Sequence, residues 1–516
     1  MAFDRLNFQH GAMDINLKNK KHLFNLFGIS VIILWLIMIG LLVRKVSFMG
    51  GDDQQAIAKA KTPAMVSTQR EWMEIYLKDN KVGYAMTQVN SVGENYLVRE
   101  EILLNLTFMG QPTGIHTVTR SIVDKQFLLK KFSLKMTSGA VNFMVSGRVE
   151  GNAMILEVGE DKARRTETVA LSEPPMIGST LAQFFKGQVL ELGQSFMFPI
   201  FDPSTMAQRE LKVRVAARET LVIRRIAYET YRLEAEMWGQ SMTFWVDESG
   251  IVLKEKSFMG LTLIKSNAAI APRDIEIGGG KDFYELAAIH VKGRLQKPAK
   301  LGWLRLKMEG LAEARFDTQT LDKGRQTFRS GMIDVIKEIL PAKAGYTLPY
   351  QDHSGEMALF LVPEFNIESD HKTIIEKARE IARHSTDPVV VARKLMSWVF
   401  RNVEKRPVIA VPSALEVLKT RVGDCNEHTV LLTALLRASG IPARVCVGIV
   451  YARGRFFYHA WTEGFLGKWV SMDAAFNQIP TDATHIKLVE GGLDKQVNII
   501  SLMGKLKLEV IDYRYD

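Results

Sequence analysis

The sequence predicts an α+β protein with a single N-terminal transmembrane helix, an antiparallel β-rich domain and a C-terminal α+β domain that carries the chemistry. Three observations lead there. An uncharged apolar run fills residues 23–43. From Trp72 to Lys265, β-branched and aromatic residues alternate with polar ones between turn signals, the period-two pattern of half-buried strands. Helical periodicity then sets in at Ile374, Ala378, Ile381 and Ala382, ahead of a stretch from Arg421 to Asp473 that holds a cysteine, a histidine and an aspartate. With 516 residues, 47% of them hydrophobic, the chain has room for two to four domains with substantial cores.

Residues 1–22 read as a basic cytoplasmic N terminus, with Arg5, Lys18, Lys20 and Lys21 leading into the apolar run. Residues 23–43 are long enough to cross a bilayer as a helix. The Arg44-Lys-Val-Ser-Phe-Met-Gly-Gly that follows lacks the small-residue cleavage site of a signal peptide, so an uncleaved anchor is expected. The four leading cations outnumber Arg44 and Lys45, and the positive-inside bias then puts the large remainder on the extracytoplasmic, periplasmic side of a cell inner membrane. Residues 44–71 are a polar juxtamembrane linker.

A β-rich accessory domain is expected over 72–265, with Leu181 to Phe185 as a short helical insertion. No acid, base or metal-ligand cluster stands out there, so scaffold is its default role. Pro272 and Gly278-Gly-Gly280 mark 266–281 as a linker; its Gly-Gly-Gly-Lys281 lacks the spacing and the following Ser or Thr of a phosphate loop. Residues 282–365, with strands at Glu285 to Lys292 and Leu301 to Met308, form a small β module or the front of the catalytic domain. Within 366–516, Asp387-Pro388 caps a helix that buries Val391, Leu395, Trp398, Val399 and Val403. Ser413 and Glu416 are the capping pair of a shorter one, and Leu506, Leu508 and Val510 alternate as a closing strand.

The cysteine opens a helix. Asp424 is placed to cap it and Glu427, three residues on, to complete the capping box; Leu431, Leu432, Leu435 and Leu436 recur at helical spacing until Gly440 and Pro442 stop it. Cys425 is then the first helical residue, where unsatisfied backbone N–H groups and the helix dipole are expected to lower its thiol pKa. His459 lies on the aromatic-rich strand Phe456 to Glu463, and Trp469 to Asp473 returns after a loop over Gly464 to Lys468. Pairing Glu463 with Trp469 sets His459 opposite Asp473, on one face of the hairpin. The three residues divide the labour of thiol acyl transfer. Cys425 attacks a carbonyl, His459 takes and returns the proton, and Asp473 orients and stabilises the imidazolium. His428, one turn beyond Cys425, and His485 read as packed, structural residues, and Trp461 as a wall.

The run Gly-Asp-Cys425-Asn-Glu-His-Thr, the following Leu-Leu-Arg-Ala-Ser-Gly-Ile-Pro-Ala-Arg444, Tyr458-His-Ala-Trp461, Trp469 to Asp473 and Asp482-Ala-Thr-His-Ile-Lys-Leu488 together resemble the bacterial transglutaminase-like superfamily. The likeness is dense from Ser369 to Leu488; Ala474 departs from it, where many relatives carry proline. It implies a papain-like α+β catalytic domain, with the cysteine on a helix and the histidine and aspartate on adjacent strands, acting on a peptide or protein amide through a thioester. The backbone N–H of Cys425 is a candidate oxyanion donor. Water as acceptor makes such an enzyme a protease or amidase, and an amine makes it a transamidase. A catalytically silent envelope assembly or binding protein with the same fold is the alternative.

Lys and Arg (67) exceed Asp and Glu (57) by ten, a mild bias with no aromatic-interleaved basic motif beside it, so no nucleic-acid partner is expected. There is no HExxH helix or CxxC pair, and no metal or organic cofactor is expected. Cys425 and Cys446 are the two cysteines. A bridge between them would consume the nucleophile, and Cys446 is expected to pack within the strand Ala443 to Tyr451.

Overall fold

Alternation builds the first half of the fold. In the strand Asn95–Phe108 every second residue from Val98 to Phe108 is buried, and in Gln111–Val123 every second one from Ile115 to Val123. A one-residue slip would turn each set to solvent, which is what holds the register. The computed structural model describes residues 69–516 apart from 109, 140, 160–163, 238–239, 258–259, 279–281, 287, 315, 352–354, 407–412 and 492–496. Its largest element is a fifteen-stranded sheet. Gln69–Leu77 lies mid-sheet, and from it the chain meanders strand by strand to one edge at Arg165–Ala170. From Met176–Ile177 at the other edge it meanders back to Leu261–Ser266, which pairs antiparallel with Gln69–Leu77 and joins the two meanders. Leu181–Phe185 is a helix in the connection.

That sheet corrects the expected fold class. Strands account for 50% of the structure and helices for 17%, so the chain is mainly β and not α+β. The reason lies in extent: the N-terminal region alone supplies the fifteen strands of one continuous sheet, while helices concentrate between residues 372 and 438. The expected membrane helix at 23–43 lies outside the described residues; among those that are described, no helix is long and apolar enough to cross a membrane.

A second sheet takes its strands from both ends of the remaining chain. Lys507–Tyr515, the closing strand, inserts between Val291–Lys292 and Leu301–Glu309, with Met332–Ile336 and Gln326–Arg329 beyond. From its edge Arg325 reaches into the C-terminal region, donating to Ser471 Oγ at 3.0 Å and to the Thr481 carbonyl at 3.0 Å while pairing with Glu338 at 2.5 Å. Residues 325 and 338 therefore brace the segment that ends in Asp473.

The site is carried by α1 (Lys372–Ala382), α2 (Pro388–Asn402), α3 (Ala414–Thr420) and α4 (Cys425–Ala438). Two short strands, β1 (Glu404–Lys405) and β2 (Val422–Gly423), pair in parallel beside them. Four more, β3 (Ala443–Ala452), β4 (Arg455–Phe465), β5 (Trp469–Met472) and β6 (Ile486–Glu490), form a sheet in the order β5-β4-β3-β6. Asp387 caps α2 through two backbone N–H groups, and Ser413 caps α3, as their sequences require. Helix α4 is buried from Cys425 to Arg437. It is locked to β4 by Thr433 and Thr462, whose hydroxyls lie 3.0 Å apart, and by the Thr462 hydroxyl donating to the Thr429 carbonyl at 3.2 Å.

Candidate active site

The start of α4 is fixed by local chemistry. The Asp424 side chain accepts from Asn426 N–H at 3.1 Å, and Glu427 reaches back to Asp424 N–H at 3.0 Å, closing the capping box. Gly423 is required by that fold-back: a Cβ there would stand 2.1 Å from Glu427 Cβ. Cys425 thus opens the helix, fully buried, and the backbone of Ala460, the residue after His459, is among the groups that act on its thiol. Cys425 and Cys446 are both free thiols, and Cys446 is buried within β3.

The hairpin β4–β5 is tighter than its sequence suggests. Phe465 pairs with Trp469 and Glu463 with Ser471, closed by Leu466 N–H to the Lys468 carbonyl at 2.8 Å and by Gly467 at φ +81°. The register is thus displaced by two residues from the one expected. Two is the strand period, so His459 and Asp473 keep a common face and meet diagonally instead of directly opposite. His459 Nε2 lies 2.6 Å from Asp473 Oδ2, an N–H···carboxylate bond that fixes the tautomer and leaves Nδ1 as the basic nitrogen. Among the described residues Nδ1 has no hydrogen-bond partner, although the ring is fully buried.

Asp473 is held from four sides. Its Oδ1 accepts from the N–H groups of Ala475 (2.7 Å) and Phe476 (3.0 Å), and its Oδ2 from His459 and from His485 Nε2 (3.0 Å). Burial alone would raise this carboxyl; its interactions with His459 and His485 overcome that and hold it well below the usual carboxylate range. His485 also faces Asp482 Oδ1, 3.4 Å from its Nδ1. Burial would lower the His485 pKa, but Asp482 and Asp473 together raise it, so the charged form of this ring is favoured between two carboxylates. His459 shifts the other way, lowered by burial against the pull of Asp473.

The expected low pKa of the cysteine is reversed. Burial pushes the Cys425 thiol well above its ordinary value, and the Asp424, Glu427 and Asp473 charges add to the rise against the Ala460 N–H. The helix N terminus does not win here because the thiol is fully buried, and the capping box adds carboxylates to the same turn. The resting pair is therefore a neutral thiol and a neutral imidazole.

His428 is a packed helix residue: its Nδ1 lies 2.6 Å from the Asp424 carbonyl, and burial lowers its pKa to about 4. The rings of Trp461 and Phe476 flank His459, at 6.3 Å and 4.9 Å between centroids. The ligand atoms of His459, Asp473 and His485 lie within 4.8 Å of one another, the spacing a metal ion needs. Their 2.6 and 3.0 Å contacts are those of N–H donors on a carboxylate, which describes a proton network; a cation would have to displace both protons. Sequence reasoning had set His485 aside as structural. The Asp482-Ala-Thr-His485 spacing was the signal for it, since a side chain so tethered to Asp482 points in a defined direction.

Residues 375–474 match the family model of the transglutaminase-like superfamily. This stretch is a transglutaminase-like domain. It contains Cys425, His459 and Asp473 and ends one residue after the aspartate. No curated protein matches the chain. Among solved structures, a candidate cysteine protease from Cytophaga hutchinsonii is similar at 16% identity over 42% of this chain and 86% of that one, with a TM-score of 0.28. A β-barrel-like protein of a domain of unknown function from Brucella abortus is similar at 12% identity, over 39% and 96%, with a TM-score of 0.30. A candidate protease from Parabacteroides distasonis is similar at 12% identity, over 67% and 68%, with a TM-score of 0.20. At these scores the likenesses establish neither a shared fold nor a shared chemistry.

Proposed function

We propose that the chain is a cysteine acyl-transfer enzyme that converts an amide carbonyl to a thioester on Cys425 and passes the acyl group to water or an amine. One observation carries this reading: His459 is held through Nε2 by Asp473, while among the described residues its other nitrogen is buried without a partner, one residue from the Ala460 backbone that acts on the Cys425 thiol. The proton leaves Sγ for Nδ1 as sulfur attacks the carbonyl carbon, and Asp473 stabilises the imidazolium formed. Cys425 N–H, at the first position of α4, faces the oxyanion. His459 returns the proton to the departing amine. Water or a second amine then attacks the thioester, His459 takes its proton, the C–S bond breaks, and the thiol is restored.

Because both partners rest neutral, proton transfer accompanies attack and no standing thiolate is needed. Iodoacetamide labelling of the full-length protein near neutral pH tests the pair. Labelling of Cys425 that slows strongly in His459→Ala supports it, and labelling as slow as a buried thiol in both proteins sinks it. The catalytically silent reading draws on the full burial of all three side chains. Amide substrates offered with and without a primary amine separate the two enzymatic outcomes by product mass, and no Cys425-linked product from any substrate favours the silent one.

The charge bias around residues 23–43 supports a further proposal, that this body works outside the cytoplasm. Protease added to intact spheroplasts then digests it, whereas digestion only after lysis would overturn that placement.

A further inference from the structure

Two histidines meet one carboxylate oxygen. Asp473 Oδ2 lies 2.6 Å from His459 Nε2 and 3.0 Å from His485 Nε2, so the group that holds the imidazole of the triad is shared with a second ring. The two rings stand 5.6 Å apart between centroids, with Trp461 and Phe476 packed against both. Phe476 also lines a cleft of about 810 Å³ that opens beside the site. His485, one residue before β6, is aimed by its tether. Its Nδ1 faces Asp482 Oδ1 at 3.4 Å, and Asp482 is held in turn by Thr484 N–H at 2.8 Å, the Thr484 hydroxyl at 2.6 Å and Gln478 Nε2 at 2.8 Å. Asp482, His485, Asp473 and His459 thus form one buried series, of which the chemistry described so far uses the last two.

The charges of this series bear on His459. Burial disfavours a proton on both nitrogens of His485, but Asp482 and Asp473 outweigh it. Burial also lowers the His459 pKa; Asp473 and Asp482 pull it up, and His485 adds to the fall. His485 is therefore charged throughout the pH range in which His459 Nδ1 gains its proton. The other charged and titratable groups packed around the two rings are Asp424, Cys425, Glu427 and His428 from α4, Lys405 from β1, and Lys487 on β6, which is paired with Glu463 at 2.9 Å. From the second sheet Arg325, paired with Glu338, donates to the backbone carbonyls of Asp482 and His485.

We propose that His485 is a positioning residue for the acyl transfer: by sharing Asp473 Oδ2 it fixes the carboxylate against His459, and as a positive ring beside His459 it keeps the open Nδ1 free of a proton until Cys425 supplies one. This assignment rests on the function proposed above.

The test is the rate of Cys425 alkylation by iodoacetamide in full-length protein between about pH 5 and 8.5, followed by the mass of the Cys425 peptide. The acid limb of that profile reports the proton on His459 and is lost in His459→Ala. In the unmodified protein its midpoint is expected below about 6.5, the ordinary histidine value. In His485→Gln, whose amide can occupy the Nε2 position without its charge, the midpoint rises by about one unit, the direction and scale of removing a like charge about 5–6 Å away, while the plateau rate stays within about threefold. His485→Ala moves the limb the same way and also slows the plateau by about tenfold, the scale of a lost hydrogen bond to a charged group. Circular dichroism melts check folding; if His485→Ala does not fold, His485→Gln and the unmodified midpoint decide. A midpoint above about 6.5 in the unmodified protein overturns the inference and leaves the proposed function standing, as does a His459-dependent limb that stays within about 0.3 unit in the variants. Labelling that rises with pH alike with and without His459 overturns the function, and this inference with it.

Discussion

Glu463 and His459 project from the same face of β4, four residues apart, and each anchors a buried polar cluster. Around Glu463, Arg444 approaches at 2.6 Å and Lys487 at 2.9 Å, and Glu490 takes a second contact from each, at 2.8 Å from Arg444 and 2.6 Å from Lys487. Two cations meet two carboxylates and the charges cancel. Burial would raise the Glu463 carboxyl, yet Lys487 and Arg444 hold it below its ordinary value. Around His459 the accounting stays open. Asp473 is saturated by four donors, His485 is shared between two carboxylates, and Nδ1 of His459 is left over. Burial and charge density are alike in the two clusters, so neither marks a site. What differs is where the open nitrogen lies: His459 Nδ1 belongs to the residue before Ala460, whose backbone acts on the Cys425 thiol.

The sharpest way to break this comparison is His459→Ala, which is expected to cut Cys425-dependent turnover by about six orders of magnitude, the scale seen when the histidine of such a unit is removed. Retained turnover would make the open acceptor a packing accident. Asp473→Asn comes next, with a loss of about three to four orders of magnitude in kcat, since the amide no longer fixes the tautomer that leaves Nδ1 basic. Glu463→Gln reverses the pattern. Breaking a buried pair from one side is expected to cost about 3 kcal/mol of stability in urea unfolding, while the alkylation rate of Cys425 stays within about twofold. A large rate effect there would show that the two clusters are one.

Smaller effects sharpen the picture. The raised pKa of His485, produced by Asp482 and Asp473 against burial, makes a contribution to stability that is complete below about pH 6.5 and lost as the pH rises through the raised folded value. His485→Gln is expected to flatten that alkaline decline in urea midpoints measured from pH 6 upward; an unchanged decline would place its origin elsewhere. Phe476, half-buried between the cleft and the imidazole, is the smallest case: Phe476→Ala is expected to speed iodoacetamide labelling of Cys425 by a few-fold, an effect of under about 1 kcal/mol on access.

Much of the local structure was legible because its signals are local. Asp424 and Glu427 announce the start of α4, Asp387-Pro388 that of α2, and alternation marks the strands from Trp72 onward. The meeting of His459 with Asp473 was legible through parity: the hairpin closes two residues tighter than read, and a shift of one full strand period preserves the face. The thiol was misread, because helix position suggests a depressed pKa and only the packed structure reveals full burial beside three carboxylates.

Sequence alone determined the elements whose causes lie within a few residues: caps, breaks, strand alternation, and the order of cysteine, histidine and aspartate. Tertiary structure decided what depends on distant partners. The pairing of Gln69–Leu77 with Leu261–Ser266 turned two meanders into one fifteen-stranded sheet. The contact of His485, twelve residues on, with Asp473, and the insertion of the last strand beside Leu301–Glu309, were settled the same way. Periodicity specifies which face a residue takes. Which surface that face meets is set by burial of the whole chain at once, and no local pattern records it.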